Sequence, residues 1–424
     1  MNPPLPMDGV LPPDLQGTLV RVGPGDAERG RLHAIELRDG QAVNYDAADT
    51  SADANVFWQA GSLLALAETG LPQQFSRLLT PQEFDGGLSI PIASHVHHDP
   101  ATGGRILFTV EEGTETSLPH LRVGEWDALG ALVHHTEVDL ERATWQHDLA
   151  VTARHIVFIE SPTARSGALA DAESPVPFHW NPGDETWLGV LARDGSTVRW
   201  VRLDPCLVTH VLHAHDEGDG EGDGGVDGDA GAIVLYVCRY DVPEKGQPVD
   251  LDSSVVGPDG IGRSYIGGGL GVLERWRIDR NGLERRPMDE RFVEYPRSDP
   301  LLEGLPFRYG YSVELAPNLD RSLDQDVTHV GLLRFDLARD EVVAWHPGAH
   351  RTASEPIFVR ATDGHSDDEG WLLSVVFDAT RDASDLYVLD ASSLGRRPPQ
   401  AVIHLPVALP FRSHGTWVGA ERYR

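Results

Sequence analysis

Trp187-Leu188-Gly189-Val190-Leu191-Ala192, followed by Asp194-Gly195 and then Val198-Arg199-Trp200-Val201, decides the fold class. Two short apolar runs flank a turn-forming Asp-Gly pair, which reads as two strands joined by a tight turn. Leu32-His33-Ala34-Ile35-Glu36-Leu37 before Asp39-Gly40 shows the same pattern, alternating with a period near two. With strict alternation relaxed, paired runs recur at residues 331–335 with 342–345 and at 371–377 with 386–389. Forty-four Gly and 30 Pro punctuate the chain, and no long segment carries the 3.6-residue period of an amphipathic helix. The chain therefore reads as all-β, with about sixteen or more short strands in a sandwich, barrel or propeller. No 40-to-50-residue repeat selects among these.

Composition narrows function. The 424 residues carry 35 Lys plus Arg against 66 Asp plus Glu, a formal charge of −31. Nucleic-acid binding needs clustered cations that release counterions, and no such cluster is present. The same field opposes an anionic membrane surface. A hydrophobic content of 40% supports one large core or two ordinary domains and excludes disorder of the whole chain. Two cysteines, Cys206 and Cys238, cannot make a disulfide framework, and the N-terminus has no signal-peptide pattern, so a cytoplasmic location is the default expectation. No run approaches the roughly 18 apolar residues of a spanning helix; weak membrane contact through a loop patch stays open, as does the oligomeric state. Residues 216–232 (DEGDGEGDGGVDGDAGA) read as an acidic Gly-rich loop between two strands; they match no calcium-loop spacing.

Nineteen histidines are the unusual feature. Four lie beside strand-like sequence: His95, His147, His210 and His414. A single histidine in such a context is more often structural than a ligand. A closed β fold, however, can point single residues from distant strands at one centre, and neutral imidazoles suit Fe, Zn, Cu and Ni. A rival reading uses the local strings His95-Val96-His97-His98-Asp99 and His210-Val211-Leu212-His213-Ala214-His215-Asp216, which resemble those of binuclear zinc hydrolases.

The segments around these histidines resemble the carotenoid cleavage oxygenases, a family that includes stilbene-cleaving members. The likeness runs nearly end to end. Residues 15–25 (LQGTLVRVGPG) resemble its opening Leu-x-Gly and Arg-x-Gly-Pro, and residues 308–311 and 367–374 add further similar text. His95 with Asp99-Pro100-Ala101-Thr102-Gly103-Gly104, His147-Asp148, His210 and His414-Gly415-Thr416-Trp417 are similar to the four iron-ligand segments in order. Glu68 in LALAETGLP, Glu294 in FVEYPR and Glu355 in SEPIFV resemble the three glutamates that bond the outer nitrogens of ligand histidines. Such carboxylates set the imidazole tautomer and orient the ring.

The resemblance implies a single domain over residues 1–424: a seven-bladed β-propeller with a loop cap over a metal-bearing axis. It implies Fe(II) as cofactor and a hydrophobic conjugated substrate, a carotenoid or apocarotenoid, cleaved by dioxygen at a C=C bond to two carbonyl products. Cleavage of a stilbene or phenylpropenoid at the same site is the alternative, and a zinc-dependent hydrolase a further one. Three departures bear on substrate and shape. Ala67 stands where carotenoid cleavers often carry Trp and stilbene cleavers Lys; Lys245 is the only lysine; Ala54 stands where a threonine precedes Asn-Val. The stretch from Gly40 to Asn55 is also short, which predicts a reduced N-terminal blade or cap.

Overall fold

The computed structural model describes residues 4–24, 30–83, 91–114, 117–165, 178–180, 184–218, 231–240, 255–256, 262–263, 271–317, 327–409 and 414–420. Among them there is no α-helix, only two 3-10 turns, Pro300–Leu302 and Ala391–Ser393. Lys245 and most of the acidic stretch lie outside the described residues. The ends of that stretch are paired, Glu217 with Ala232, so it joins two antiparallel strands as expected.

Every strand read from the pattern lies inside an observed one. Gly30–Arg38 and Gln41–Thr50 are joined at Asp39-Gly40, where φ values of 52° and 73° make the doubly left-handed turn that an Asp-Gly pair favours. Gln41–Thr50 is ten residues long, so the short stretch after Gly40 still supplies a full edge strand. Thr186–Ala192 and Val198–Leu203 also pair, but through a wider loop than expected. There only Gly195 has positive φ, its N–H reaches Ala192 O at 2.8 Å, and Asp194 instead accepts from Ser196 N at 2.9 Å. With one left-handed residue and not two, the type I′ turn that an Asp-Gly pair favours is not formed here.

The larger sheets follow one another along the chain. The first comprises His414–Gly419, Gly17–Pro24, Gly30–Arg38 and Gln41–Thr50, so the last strand of the chain completes a sheet begun near its start. The second runs from Asn55–Gln59 to Pro81–Gln82, the third from His97–Asp99 to Leu132–Asp139, and the fourth from Ala150–Val151 to Val198–Leu203. A seven-stranded fifth sheet runs from Leu207–Glu217 to Glu341–Trp345. The sixth contains Arg351–Ala353, Ile357–Arg360, Gly370–Asp378, Ala383–Asp390 and Ala401–His404, and takes Met7–Gly9 as its edge.

Neighbouring sheets bury their facing side chains against each other. Val22 and Leu32 pack with Val56 and Trp58; Leu107 and Trp126 with Phe57 and Leu64; Ile106 and Phe108 with Ile156 and Phe158. Val157 and Leu188 meet Leu235 and Trp276, and Tyr311 and Leu332 meet Phe358 and Leu372. Leu373 and Leu386 of the sixth sheet then pack with Leu19 and Ile35 of the first, which closes the ring. Within the fifth sheet, Val234 and Tyr236 share a core with Leu333 and Phe335. A ring of this kind directs one strand from each sheet toward a common centre.

Candidate metal centre

Each candidate histidine lies at the start of an inner strand or at a break in one. His95 precedes His97–Asp99, His147 precedes Ala150–Val151, and His414 opens His414–Gly419. His210 lies within Leu207–Glu217, where the pairing shifts register between Val208 and Val211 and again before His213. Such an irregularity re-aims a side chain that regular alternation would direct elsewhere. The four rings meet. Centroids of His95 are 4.5 Å from His147, 4.9 Å from His210 and 4.8 Å from His414, and His210 is 4.9 Å from His147 and 5.1 Å from His414. One nitrogen from each of His95, His147 and His210 lies within 4.8 Å of the others.

The three glutamates stand behind three of the rings. Glu68 lies 2.7 Å from His147 Nδ1, Glu294 2.5 Å from His210 Nδ1, and Glu355 2.7 Å from His414 Nδ1. Each carboxylate is anchored by further donors. Glu68 accepts from Trp145 Nε1 and Ser94 Oγ, both at 2.9 Å. Glu294 accepts from Thr209 Oγ1 at 2.6 Å, from the Tyr240 hydroxyl and from Tyr295 N at 3.0 Å. Glu355 accepts from Arg297 Nε at 2.7 Å and Gly415 N at 2.9 Å. Tyr295 adopts φ 52°, a left-handed backbone that a bulky residue rarely takes. Its ring packs 5.7 Å from His210 and 5.2 Å from His414.

This donor set fits a metal. A carboxylate only accepts, so each tethered Nδ1 carries the hydrogen, and in the neutral ring, the form that binds a metal, each Nε2 keeps a lone pair. His147 and His210 then face each other lone pair to lone pair, with Nε2 atoms 3.2 Å apart, an arrangement that a cation relieves. His95 Nε2 is buried with no hydrogen-bond partner. Burial, and after it the three neighbouring imidazoles, holds His95 well below the usual histidine range. Burial also lowers His414, whereas at His147 the desolvation is outweighed by Glu68, which raises it. Desolvation pushes Glu294 up, but His210, Thr209 and Tyr240 bring it down to about 2.

The histidine strings do not act as units. His98 Nδ1 lies 3.1 Å from Pro300 O, and His213 lies between Ser298 Oγ at 3.0 Å and Leu305 O at 2.8 Å, stacked on Phe307. His97 is held by Asp148 and Glu303. The only histidine-rich metal group found among the described residues is the axial one, so a binuclear site built from adjacent His residues is not formed. Ala54 immediately precedes Asn55–Gln59 and Ala67 immediately follows Ser62–Leu66, the first two strands of the second sheet; Ala54 N donates to Leu66 O at 3.0 Å, and Asn55 Nδ2 donates to Ser94 O at 2.9 Å, next to His95 in sequence. A cavity of about 280 Å³ flanks the ligand segments and is lined in part by Asn55, Val96, Arg297, Ile357 and Thr416. Sequence reading missed Trp145, Thr209, Tyr240, Arg297, His97 and Glu303. Thr209 beside His210, Trp145 two residues before His147 and Arg297 within FVEYPR lay near a proposed residue, His97 was read only as part of a zinc-hydrolase-like string, and Tyr240 and Glu303 carried no local signal.

A ring of β-sheets closing on four histidines, three of them backed by glutamates, defines an all-β protein whose axis is suited to a metal. Residues 36–419 match the family described as retinal pigment epithelial membrane protein (RPE65), and the chain belongs to this family of carotenoid cleavage oxygenases. It is similar to isoeugenol monooxygenase of Pseudomonas putida, at 27% identity over 87% of this chain and 75% of that one. It is also similar to apocarotenoid-15,15'-oxygenase of Synechocystis, at 26% identity over 97% and 92%. Among solved structures, cobalt-substituted Synechocystis ACO superposes with a TM-score of 0.80 at 22% identity, covering 98% of this chain and 95% of that one. Lignostilbene dioxygenase of Pseudomonas brassicacearum gives 0.81 at 22%, with the same coverage. No helix among the described residues is long and apolar enough to cross a membrane.

Proposed function

We propose that the chain is a non-haem Fe(II) dioxygenase that cleaves a conjugated C=C bond of a carotenoid or apocarotenoid, placing one oxygen atom of O2 in each of two carbonyl products. His95, His147, His210 and His414 hold the metal, and Glu68, Glu294 and Glu355 orient three of them. The observation that carries this reading is the pair of carboxylate-tethered Nε2 atoms of His147 and His210, 3.2 Å apart, beside the unpartnered Nε2 of His95. When bound, Fe(II) supplies the redox chemistry that activates dioxygen. The protein residues keep each imidazole in the tautomer that offers a lone pair and resist its rotation. Likeness to the Synechocystis apocarotenoid oxygenase over nearly the whole chain supports the substrate class.

The seven-stranded sheet is read as two blades, because its early and late strands share a core as separate sheets do. The ring then has seven blades over one domain, with a loop cap. Both cysteines are free and buried, in accord with a cytoplasmic location. A second reading, cleavage of a phenylpropenoid, is favoured by the likeness to isoeugenol monooxygenase.

The test is metal analysis of the purified protein followed by oxygen uptake with an apocarotenal and with isoeugenol, and mass analysis of the carbonyl products. About one Fe(II) per chain, lost in His147→Ala and His210→Ala together with oxygen uptake, is expected. Stoichiometric zinc in a preparation that cleaves esters or lactams sinks the iron reading. The two substrate arms separate the first reading from the second.

A further inference from the structure

His97 lies two residues beyond His95, yet its ring is held between carboxylates and away from the axial cluster. Its Nε2 is 2.9 Å from Asp148 Oδ1, and its Nδ1 bonds Glu303 Oε1. Its side chain is only 11% exposed. Both carboxylates are also fastened to backbone. Asp148 Oδ1 accepts from Leu149 N and Oδ2 from Val211 N, each at 2.8 Å. Glu303 Oε2 accepts from His98 N at 2.8 Å. Asp148 follows His147 directly, and Val211 follows His210. One imidazole and one carboxylate thus join the chain segments of His95, His147 and His210 without touching their metal-facing nitrogens.

We infer that His97 is a positioning residue that fixes the mutual orientation of these three ligand segments before the metal arrives. A ring bonded through both nitrogens to acceptor-only carboxylates donates from both. Charge-assisted bonds of this kind are about twice as strong as neutral ones, and the pair of carboxylates leaves the ring no free rotation. The clamp does not reach His414, which is held separately through Glu355 and Arg297. The centre is therefore three imidazoles locked as a unit and a fourth brought by the closing strand. This inference rests on the reading of the four histidines as metal ligands.

Cobalt(II) is the probe, because its visible bands report coordination geometry without turnover. Full-length wild type, His97→Leu, His97→Gln, Glu303→Gln and the control His213→Asn are loaded with Co(II), and metal loss to a chelator is timed. His213 ties the 298–305 segment to the same strand as His210 but bonds neither Asp148 nor Glu303. His97→Leu is expected to lose Co(II) about 10- to 100-fold faster and to shift the visible bands. His97→Gln and Glu303→Gln, which keep part of the clamp, fall between it and wild type, and His213→Asn matches wild type.

The inference is overturned if His97→Leu, melting like wild type in its metal-free form, keeps the wild-type spectrum and rate. It is equally overturned if His213→Asn changes both as much as His97→Leu. Where His97→Leu does not fold, wild-type rates in both His97→Gln and Glu303→Gln overturn it. Failure of wild type itself to take up Co(II) brings down the metal reading, and this inference with it.

Discussion

Glu294 and Glu160 are buried to nearly the same degree, 1% and 4% exposed, and behave oppositely. Glu294, on the axis, is brought down to about 2 although burial pushes it up, because His210, Thr209 and Tyr240 surround it with donors. Glu160 closes the strand His155–Glu160, and burial raises it to about 7, with Arg142 opposing. Its Oε1 has no partner, and neither has the buried Nε of Arg142, whose other nitrogens engage Asp184 and the Glu185 carbonyl. The contrast separates two causes that act together in most proteins. Burial alone drives a carboxyl toward the neutral acid, and only a full set of donors keeps it ionised. A carboxylate that must hold a ligand histidine therefore needs its own supporting shell, which Glu68 and Glu355 also have.

The sharpest way to break the contrast is Glu294→Leu. It strands His210 Nδ1–H, the Thr209 and Tyr240 hydroxyls and Tyr295 N–H in a dry site. Leaving a buried donor unsatisfied costs about 1–3 kcal/mol, so the loss over these groups is expected to be the largest of the series, and metal affinity is expected to fall about 10- to 100-fold. Denaturant unfolding of the metal-free protein reads the first and chelator competition the second. Unchanged values in both would mean that these donors do not depend on the carboxylate.

Glu160→Gln tests the other side, and the size of its effect depends on pH. A group whose folded pKa lies above its unfolded value of 4.5 favours folding below pH 4.5; that contribution fades as pH rises toward about 7 and is absent above it. Replacing Glu160 by a neutral isostere removes the dependence. The variant is expected to gain up to roughly 3 kcal/mol over wild type at pH 8 and nothing at pH 4. Equal stability of the two proteins at pH 8 would show that Glu160 ionises in the fold without cost.

Most of the axial centre was legible in the sequence, and its supporting shell was not. His95, His147, His210 and His414 meet, and Glu68, Glu294 and Glu355 stand behind three of them, because each lies in a short motif that keeps its residue type beside a strand end. Tyr240 and Glu303 reach the site from distant points of the chain and carry no local mark, and Trp145, two residues before His147, bonds Glu68 from another sheet. Strand positions were legible from apolar runs, but the loop at Asp194-Gly195 was not, since the dipeptide allows a two-residue turn without requiring one. Tyr295 is the extreme case. A left-handed tyrosine contradicts its own local preference, so only the packing around His210 and His414 accounts for it. His97 is a different failure: beside other histidines it suggested a ligand string, and only the positions of Asp148 and Glu303 separate it from the axial cluster.

Thr209→Val is a smaller perturbation of the axial shell. It removes one donor from Glu294 and leaves the other three, so the loss is expected near 2 kcal/mol, the scale of one hydrogen bond to a charged group. Equal loss in Thr209→Val and Glu294→Leu would mean that a single donor carries the whole site. At the Glu160 end, Arg142→Leu is expected to have the smallest effect, and it is read from a midpoint more than from an amplitude. Arg142 is the cation that lowers Glu160, while burial acts the other way. Removing it leaves burial unopposed, so the pH at which Glu160-dependent stability fades moves upward. The same change also removes the Arg142–Asp184 ion pair, which shifts stability by a similar amount in the wild-type and Glu160→Gln backgrounds. The difference between those two backgrounds therefore isolates the Arg142–Glu160 coupling, and a midpoint that stays in place would show that desolvation alone sets the carboxyl at this interface.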